Sequence, residues 1–342
     1  MAHRHGGHGG HGGSGHSREK LLRNGVVAGV VFIVLLAGFL LLGSLLEPEV
    51  EEEQGSLEGR FEPTLTLEHE GKTYTHQEQD YSTILFIGVD KTALGSASLR
   101  SAGQADFLLL MTIDRENREV DMLQIDRDTI SNVRIYGAFG QYAGSRRTQM
   151  CLAYAFGTTP EKACQNTVRA VTDFLGGIPI DHYVALDMDG MVVLNDALGG
   201  VTVTLEEDMS DLDPEMKKGA TITLKGQQAE YFLRTRMTVG DGSNASRMLR
   251  QSAFMEAAAS LIYDKLAEDA NFISVLLEKM DEHLVTSCED AWLINQAYAA
   301  RKYNRTQTVR LDGEHTIGED GFVEFHPDTN ALKRYIISTF CE

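Results

Sequence analysis

The stretch MLQIDRDT, residues 122–129, alternates like a buried strand and then presents Asp126, Arg127 and Asp128 in a row. Further along, Arg234, Arg236, Arg247 and Arg250 fall within 17 residues, and Gln251 follows the last of them. Arg247, Arg250 and Gln251 stand at i, i+3 and i+4, so a helix through them would present all three on one face near its start. The first turn of a helix attracts anions through its free N–H groups and macrodipole, and arginine adds a planar fork that grips phosphate oxygens in pairs. Asp90, which ends the apolar run ILFIGV, and Asp106, which opens DFLLLMTID, offer the hard oxygens that Mg2+ takes together with substrate phosphates. The chemistry this set could perform is the binding of a phosphorylated anion beside a divalent metal. Each residue alone has an ordinary alternative: arginines as a solvated helix face, aspartate after a strand as a turn residue, Arg127–Asp128 as a structural ion pair. Their order at successive element ends is what singles them out.

The charge balance sharpens the point. The 342-residue chain carries a net charge of −19, which argues against a nucleic-acid partner. Up to residue 24 there are four Lys/Arg and one acid, so the remainder stands at −22. A cluster of arginines in that remainder is set against a strongly acidic background.

These side chains need elements to position them. The first 16 residues are a Gly/His-rich run that cannot pack a core, read as part of a solvated tail covering residues 1–24. Residues 25–46 hold no charge, long enough at about 1.5 Å per residue for a hydrocarbon core of roughly 30 Å and longer than a signal-peptide apolar region. Arg18, Lys20 and Arg23 precede this span and acids follow it, which predicts a single-pass membrane protein with a cytoplasmic N-terminus and residues 47–342 outside. Residues 47–80 read as an acidic stalk ending in a hairpin over 65–76, and 81–342 as one extracytoplasmic domain. Within it, 83–89, 106–114, 119–125, 182–188, 201–205 and 220–224 read as strands, as do 306–311 and 322–326. Residues 148–156, 160–175, 191–198, 226–236, 246 to about 284 and the segment from Asp328 show helical spacing. Alternating strands and helices predict an α/β class: an α/β/α sandwich with a mixed central β-sheet, preceded by one transmembrane helix. Of the cysteines, Cys151 and Cys164 would close a short helix–loop–helix segment as a disulfide, with buried free thiols the open alternative.

The segments ILFIGVD (84–90), ADFLLLMTID (105–114), LQIDRDT (123–129), AYAFG (153–157), GIPIDHYVALDMDGMVVLNDALGGVTVTL (177–205), LKGQQAEYFLRTR (224–236) and SRMLRQSAF (246–254) resemble, in type and order, the LytR–CpsA–Psr family. The likeness covers a core of residues 81–285, leaving 286–342 as a C-terminal extension. It implies an enzyme that takes a phosphorylated glycan from a polyprenyl-pyrophosphate carrier and joins it to a peptidoglycan acceptor through a phosphodiester, at the membrane. Mapped onto this chain, Asp90 and Asp106 would hold Mg2+ or Mn2+. Arg127, Arg234, Arg236, Arg247, Arg250 and Gln251 would hold the pyrophosphate. Asp106, Arg127 and Asp128 would form the catalytic centre, and either aspartate could take the acceptor proton. Non-catalytic binding of polyprenyl phosphates, and hydrolysis of the same lipids, are the alternative functions.

Two departures stand out. The family usually has arginine where Gln104 stands and lysine where Gln149 stands, so each removes a cation from the implied phosphate site. The lipid tail needs an apolar channel; residues 248–266 and 161–175 are candidate walls, with plain core as the other reading.

Overall fold

In a computed structural model of the chain, the described residues are 65–76, 81–90, 103–137, 139–236, 238–269, 272–289, Trp292, Gln296, 303–305 and 308–341. The tail, the apolar span 25–46, the stalk up to residue 64 and most of the loop 91–103 lie outside them. Among the described residues no helix is long and apolar enough to cross a membrane.

β1 (Thr66–His69) pairs with β2 (Lys72–Thr75) and β9 (Thr202–Thr204) with β10 (Thr221–Thr223), and the central sheet is built on β3 (Tyr81–Asp90), β4 (Gln104–Asp114), β5 (Glu119–Ile125) and β8 (His182–Asp187). Their apolar residues are buried on both sides, which explains near-continuous apolar runs rather than polar alternation. β3 sends Ile84 and Phe86 into one layer and Leu85, Ile87 and Val89 into the other. The first layer is completed by α3 (Met188–Leu198), α4 (Gln227–Arg234), α5 (Asn244–Glu268) and α6 (Phe272–Met280). The second is completed by α1 (Leu152–Ala155), α2 (Pro160–Phe174) and α7 (Thr329–Phe340). The expected three-layer sandwich with a mixed sheet is therefore present.

Strand order is β11-β8-β3-β4-β5-β12, with β11 (Leu284–Thr286) and β12 (Asn304–Arg305) at the edges and β13 (Val309–Arg310) also on β5. β3 runs antiparallel to β4, and β4 antiparallel to β5. The end of β3, the start of β4 and the end of β5 consequently meet at one end of the sheet. Asp90, Gln104, Asp106 and the 126–128 stretch arrive there together for that reason.

Local signals explain the helix ends. Thr159 accepts a hydrogen bond from the Lys162 N–H at 3.3 Å and Pro160 opens α2, a capped start. Gly199 ends α3 in the left-handed region at φ 86°, which only glycine adopts without strain. Gly157, last residue of AYAFG, lies so close to α2 that a Cβ there would overlap the Ala163 backbone. Gly157→Ala is expected to push α2 off the sheet and destabilise the fold by about 1–3 kcal/mol. A denaturant titration that leaves its midpoint unchanged would contradict this close approach.

Some expectations need correction. Residues 148–156 are not one helix: β7 (Tyr142–Gln149) ends there and only the single turn α1 follows. β7 pairs antiparallel with β6 (Ile130–Tyr136), a hairpin whose exposed polar residues mask its alternation. Cys151 and Cys164 are not joined; all four cysteines are free. Cys164 lies in the second-layer core, while the Cys151 Sγ accepts a hydrogen bond from Arg127 at 3.2 Å. Residues 161–175 and 248–266 cannot wall one channel, because α2 and α5 cover opposite faces of the sheet.

A candidate anion-binding site at one end of the sheet

The β3–β4 ladder contains a bulge. Gly88 pairs with Phe107 and Val89 with Ala105, so Asp106 is the additional residue on β4. Phe107 and Ala105 pack into opposite layers although two apart, as an inserted residue requires. Asp106 is 4% exposed, and both its oxygens meet guanidinium groups: Oδ1 accepts from Arg127 Nη1 and Oδ2 from Arg247 Nη1 at 2.8 Å. A strand from one part of the sequence and a helix start from another are thus joined through one carboxylate.

Arg127 is the hub. Besides Asp106 it donates through Nε to Asp128 Oδ1 at 3.2 Å and through Nη2 to Gln104 Oε1 at 2.6 Å. Burial opposes its charge, but Cys151, Asp106 and Asp128 outweigh burial and raise its pKa. The Cys151 thiol is pushed up to about 12 by its own burial, against the pull of Arg127, and stays protonated. Burial also raises the Asp128 carboxyl, although Arg127 draws it down. Asp128 Oδ2 is buried without a hydrogen-bond partner, and Arg236 Nη1 stands 3.9 Å away. Arg247 donates its other terminal nitrogen to Asn244 Oδ1 at 2.6 Å, and burial lowers its pKa.

Arg234 and Asp90 sit beside this hub. Asp90 Oδ1 accepts from Arg234 Nη2 at 2.5 Å and Nε at 3.2 Å, and Arg234 Nη1 also reaches Glu230 at 2.6 Å. The structure therefore brings together Asp90, Asp106, Arg127, Asp128, Arg234, Arg236 and Arg247. Arg250 is turned elsewhere. Its Nη1 donates to the Phe232 carbonyl at 2.9 Å, its Nη2 to the Thr235 carbonyl, and its Nε lies 3.1 Å from Glu207. Gln251 donates to the Leu233 carbonyl at 3.4 Å. Both side chains cap the C-terminal end of α4, whose last carbonyls lack helical partners. Sharing a helix face with Arg247 does not give them the same target, because α4 ends beside that face.

The two glutamines that depart from the family pattern have structural partners here. Gln104 orients Arg127, and Gln149 Nε2 donates to the Val323 carbonyl at 3.1 Å. Val323 belongs to a hairpin of β14 (Gly313–Ile317) and β15 (Val323–Pro327) that docks on the 126–129 loop. There the Phe325 N–H donates to the Asp128 carbonyl at 2.8 Å, and His315 Nε2 lies 3.1 Å from Asp126 Oδ2. Asp126 Oδ1 accepts from the Asp128 N–H and from Asn244 Nδ2, each at 2.9 Å. A continuous path therefore runs from His315 through Asp126 and Asn244 to Arg247. Sequence reasoning missed Asp126, Asn244 and His315; only the carboxylate in the DRD run carried any signal. His315→Ala is expected to weaken binding of a pyrophosphate probe roughly three- to tenfold, the worth of one ordinary hydrogen bond. His315→Gln, which keeps a donor, should recover most of it. Equal losses in both variants, read by titration with inorganic pyrophosphate, would remove His315 from the path.

No group of three or more His, Cys, Asp or Glu side chains gathers as a ligand set among the described residues. Asp90 and Asp106 therefore offer at most a partial set of hard oxygens. That suits Mg2+ or Mn2+, which fill their remaining positions with phosphate and water, and does not suit zinc. The arginines of the cluster are matched by carboxylates: Arg127 by Asp106 and Asp128, Arg234 by Asp90, Arg236 by Asp128 and Arg247 by Asp106.

Next to the charged cluster is a small apolar crevice in the first layer, lined by Gly88, Phe107, Met188, Leu233, Gln251 and Met255. A Cβ on Gly88 would come within 2.8 Å of the Phe107 Cβ, so glycine lets Phe107 pack closely across the β3–β4 ladder.

A model of the LytR_cpsA_psr family matches residues 51–336, taking in most of the chain after residue 285. The protein is 26% identical over 306 residues to the polyisoprenyl-teichoic acid–peptidoglycan teichoic acid transferase TagU of Halalkalibacterium halodurans, covering 87% of this chain and 90% of that protein. It is 28% identical over 263 residues to the correspondingly named TagV of Bacillus subtilis, covering 74% of this chain but only 62% of that protein's length. The crystal structure of B. subtilis TagV superposes with a TM-score of 0.56 at 24% identity, covering 77% of this chain and 98% of that one, a likeness of fold.

Proposed function

The chain belongs to the LytR–CpsA–Psr family, and from that premise we propose that it transfers a glycan phosphate from a polyprenyl-pyrophosphate carrier to peptidoglycan. Relatives named as teichoic acid transferases support the reaction class. The observation that carries the reading is the Asp106–Arg127–Arg247 junction, in which distant guanidinium groups converge at one edge of an acidic protein. We assign residues 25–46 as a membrane anchor, with the catalytic part outside.

In this reading the diphosphate displaces carboxylates from the arginines. Arg127, Arg234, Arg236 and Arg247 neutralise charge on its oxygens as the bond to the leaving polyprenyl phosphate lengthens. A divalent metal on Asp90 and Asp106 would add Lewis-acid stabilisation of the same oxygens. The acceptor hydroxyl attacks the phosphorus next to the sugar, the bond to the bridging oxygen breaks, and a phosphodiester forms. Asp128 accepts the hydroxyl proton, since its Oδ2 lacks a hydrogen-bond partner and burial raises its affinity for a proton. Asp106 is less suited, with both oxygens already accepting from arginine. Arg250 and Gln251 act by fixing the end of α4, and hence Arg234 and Arg236.

The test is turnover by the full chain in nanodiscs with Mg2+, a polyprenyl-pyrophosphate glycan and peptidoglycan. The expected result is release of polyprenyl phosphate with glycan bound to peptidoglycan, abolished by chelation. Tight binding without product from any acceptor would establish a binding protein instead, and transfer to water alone a pyrophosphatase.

A further inference from the structure

Between Asp128 and Glu161 the sequence contains no acidic residue, in a protein whose acids otherwise outnumber its bases. That acid-free stretch is the β6–β7 hairpin and the turn that follows it. Its cations are Arg134, Arg146 and Arg147, and none of them forms an ion pair among the described residues. Unpaired guanidinium groups grouped on a protein of net charge −19 mark a surface suited to an anion.

The register sorts the two faces of this hairpin. Ser131 and Val133 turn inward, Ser131 donating to the Ala170 carbonyl of α2 at 2.8 Å. The other face carries Arg134 opposite Ser145, Asn132 opposite Arg147, and Tyr136 opposite Tyr142. Arg134 stacks 6.0 Å from the centroid of the Tyr142 ring, and Tyr142 is 60% exposed. Arg134 and Arg147 are diagonal neighbours, beside an aromatic plane on which a sugar ring can lie. Both roots of the hairpin are fixed to the anion site: the Met150 N–H donates to the Thr129 carbonyl at 2.8 Å and the Cys151 N–H to the Arg127 carbonyl at 3.0 Å. Seven paired rungs at about 3.4 Å each make an arm roughly 24 Å long leading away from that site.

We propose that this face, Arg134, Tyr142 and Arg147, docks the phosphate-bearing chain that extends from the reacting diphosphate. The proposal rests on the transferase reading above. A phosphodiester polymer fits better than a lipid surface. The outer face is polar along its length, with Asn132, Arg134, Ser145 and Arg147, and it starts from the anion site.

The experiment compares the full chain in zwitterionic nanodiscs with the Arg134→Gln/Arg147→Gln variant, using a short oligo(glycerol phosphate) as probe in fluorescence anisotropy. The double variant is expected to bind about tenfold more weakly, as for two exposed charge contacts, and Arg146→Gln on the other face distinctly less so. In turnover, KM for a polymer-bearing carrier should rise by the same factor. The preference for that carrier over one bearing only a disaccharide should fall accordingly. If no carrier is turned over at all, the transferase reading fails while the anisotropy comparison still decides the docking surface. Unchanged anisotropy, an equal loss in Arg146→Gln, equal affinity for a polyuronate, or loss of binding only to anionic phospholipid vesicles would each overturn the proposal.

Discussion

Asp106→Ala is expected to abolish turnover and to destabilise the fold by about 3–5 kcal/mol, the cost of leaving buried cations without their counter-ion. The size of the effect follows from the geometry. Asp106 is 4% exposed and Arg247 also 4%, so water cannot replace the lost carboxylate. Arg127 loses one of its two carboxylate partners in the same change. Thermal unfolding and turnover should be read together, since a misfolded variant is trivially inactive. Asp106→Asn separates the two effects. It keeps the shape and one accepting oxygen, so it should retain more stability while turnover falls on the order of 100-fold. An Asp106→Asn protein with full, chelator-insensitive turnover would exclude this carboxylate from the reaction.

Arg127→Ala is expected to lower turnover by about 100- to 1000-fold, the usual consequence of removing a preorganised donor from a developing anion. Arg127→Lys should recover little, because a point charge cannot serve Asp106, Asp128 and Gln104 in different directions as the guanidinium does. The variant also has a pH signature. Burial already raises the Asp128 carboxyl above its unfolded value, and removing Arg127 removes the largest influence that lowers it. A carboxyl raised in the folded state contributes stability below its unfolded pKa of about 3.9 and loses it as pH rises through the folded value. In Arg127→Ala that loss moves to higher pH, so its stability deficit against the wild type should shrink from neutral to mildly acidic solution. Denaturant midpoints at both conditions test this; a deficit that grows on acidification would contradict the assignment.

Apolar continuity marked β3, β4 and β5, and the runs of charge at their ends marked a place where anions could meet. The β6–β7 hairpin escaped notice because one side is exposed and carries arginine, tyrosine and serine, leaving little apolar pattern to read. His315 escaped because nothing in a lone histidine on an exposed strand tells which loop that strand will cover.

By itself the sequence determined the covered strands, the capped helices and the order in which carboxylates and guanidinium groups reach element ends, because burial and capping are local demands on residue type. Which of those charges meet follows from the packing of distant segments. Arg247 and Arg250 are one helical turn apart, yet one joins Asp106 on the bulge of β4 and the other closes the end of α4. Long flexible side chains take whichever partner packing brings within reach, and that depends on contacts between segments more than a hundred residues apart.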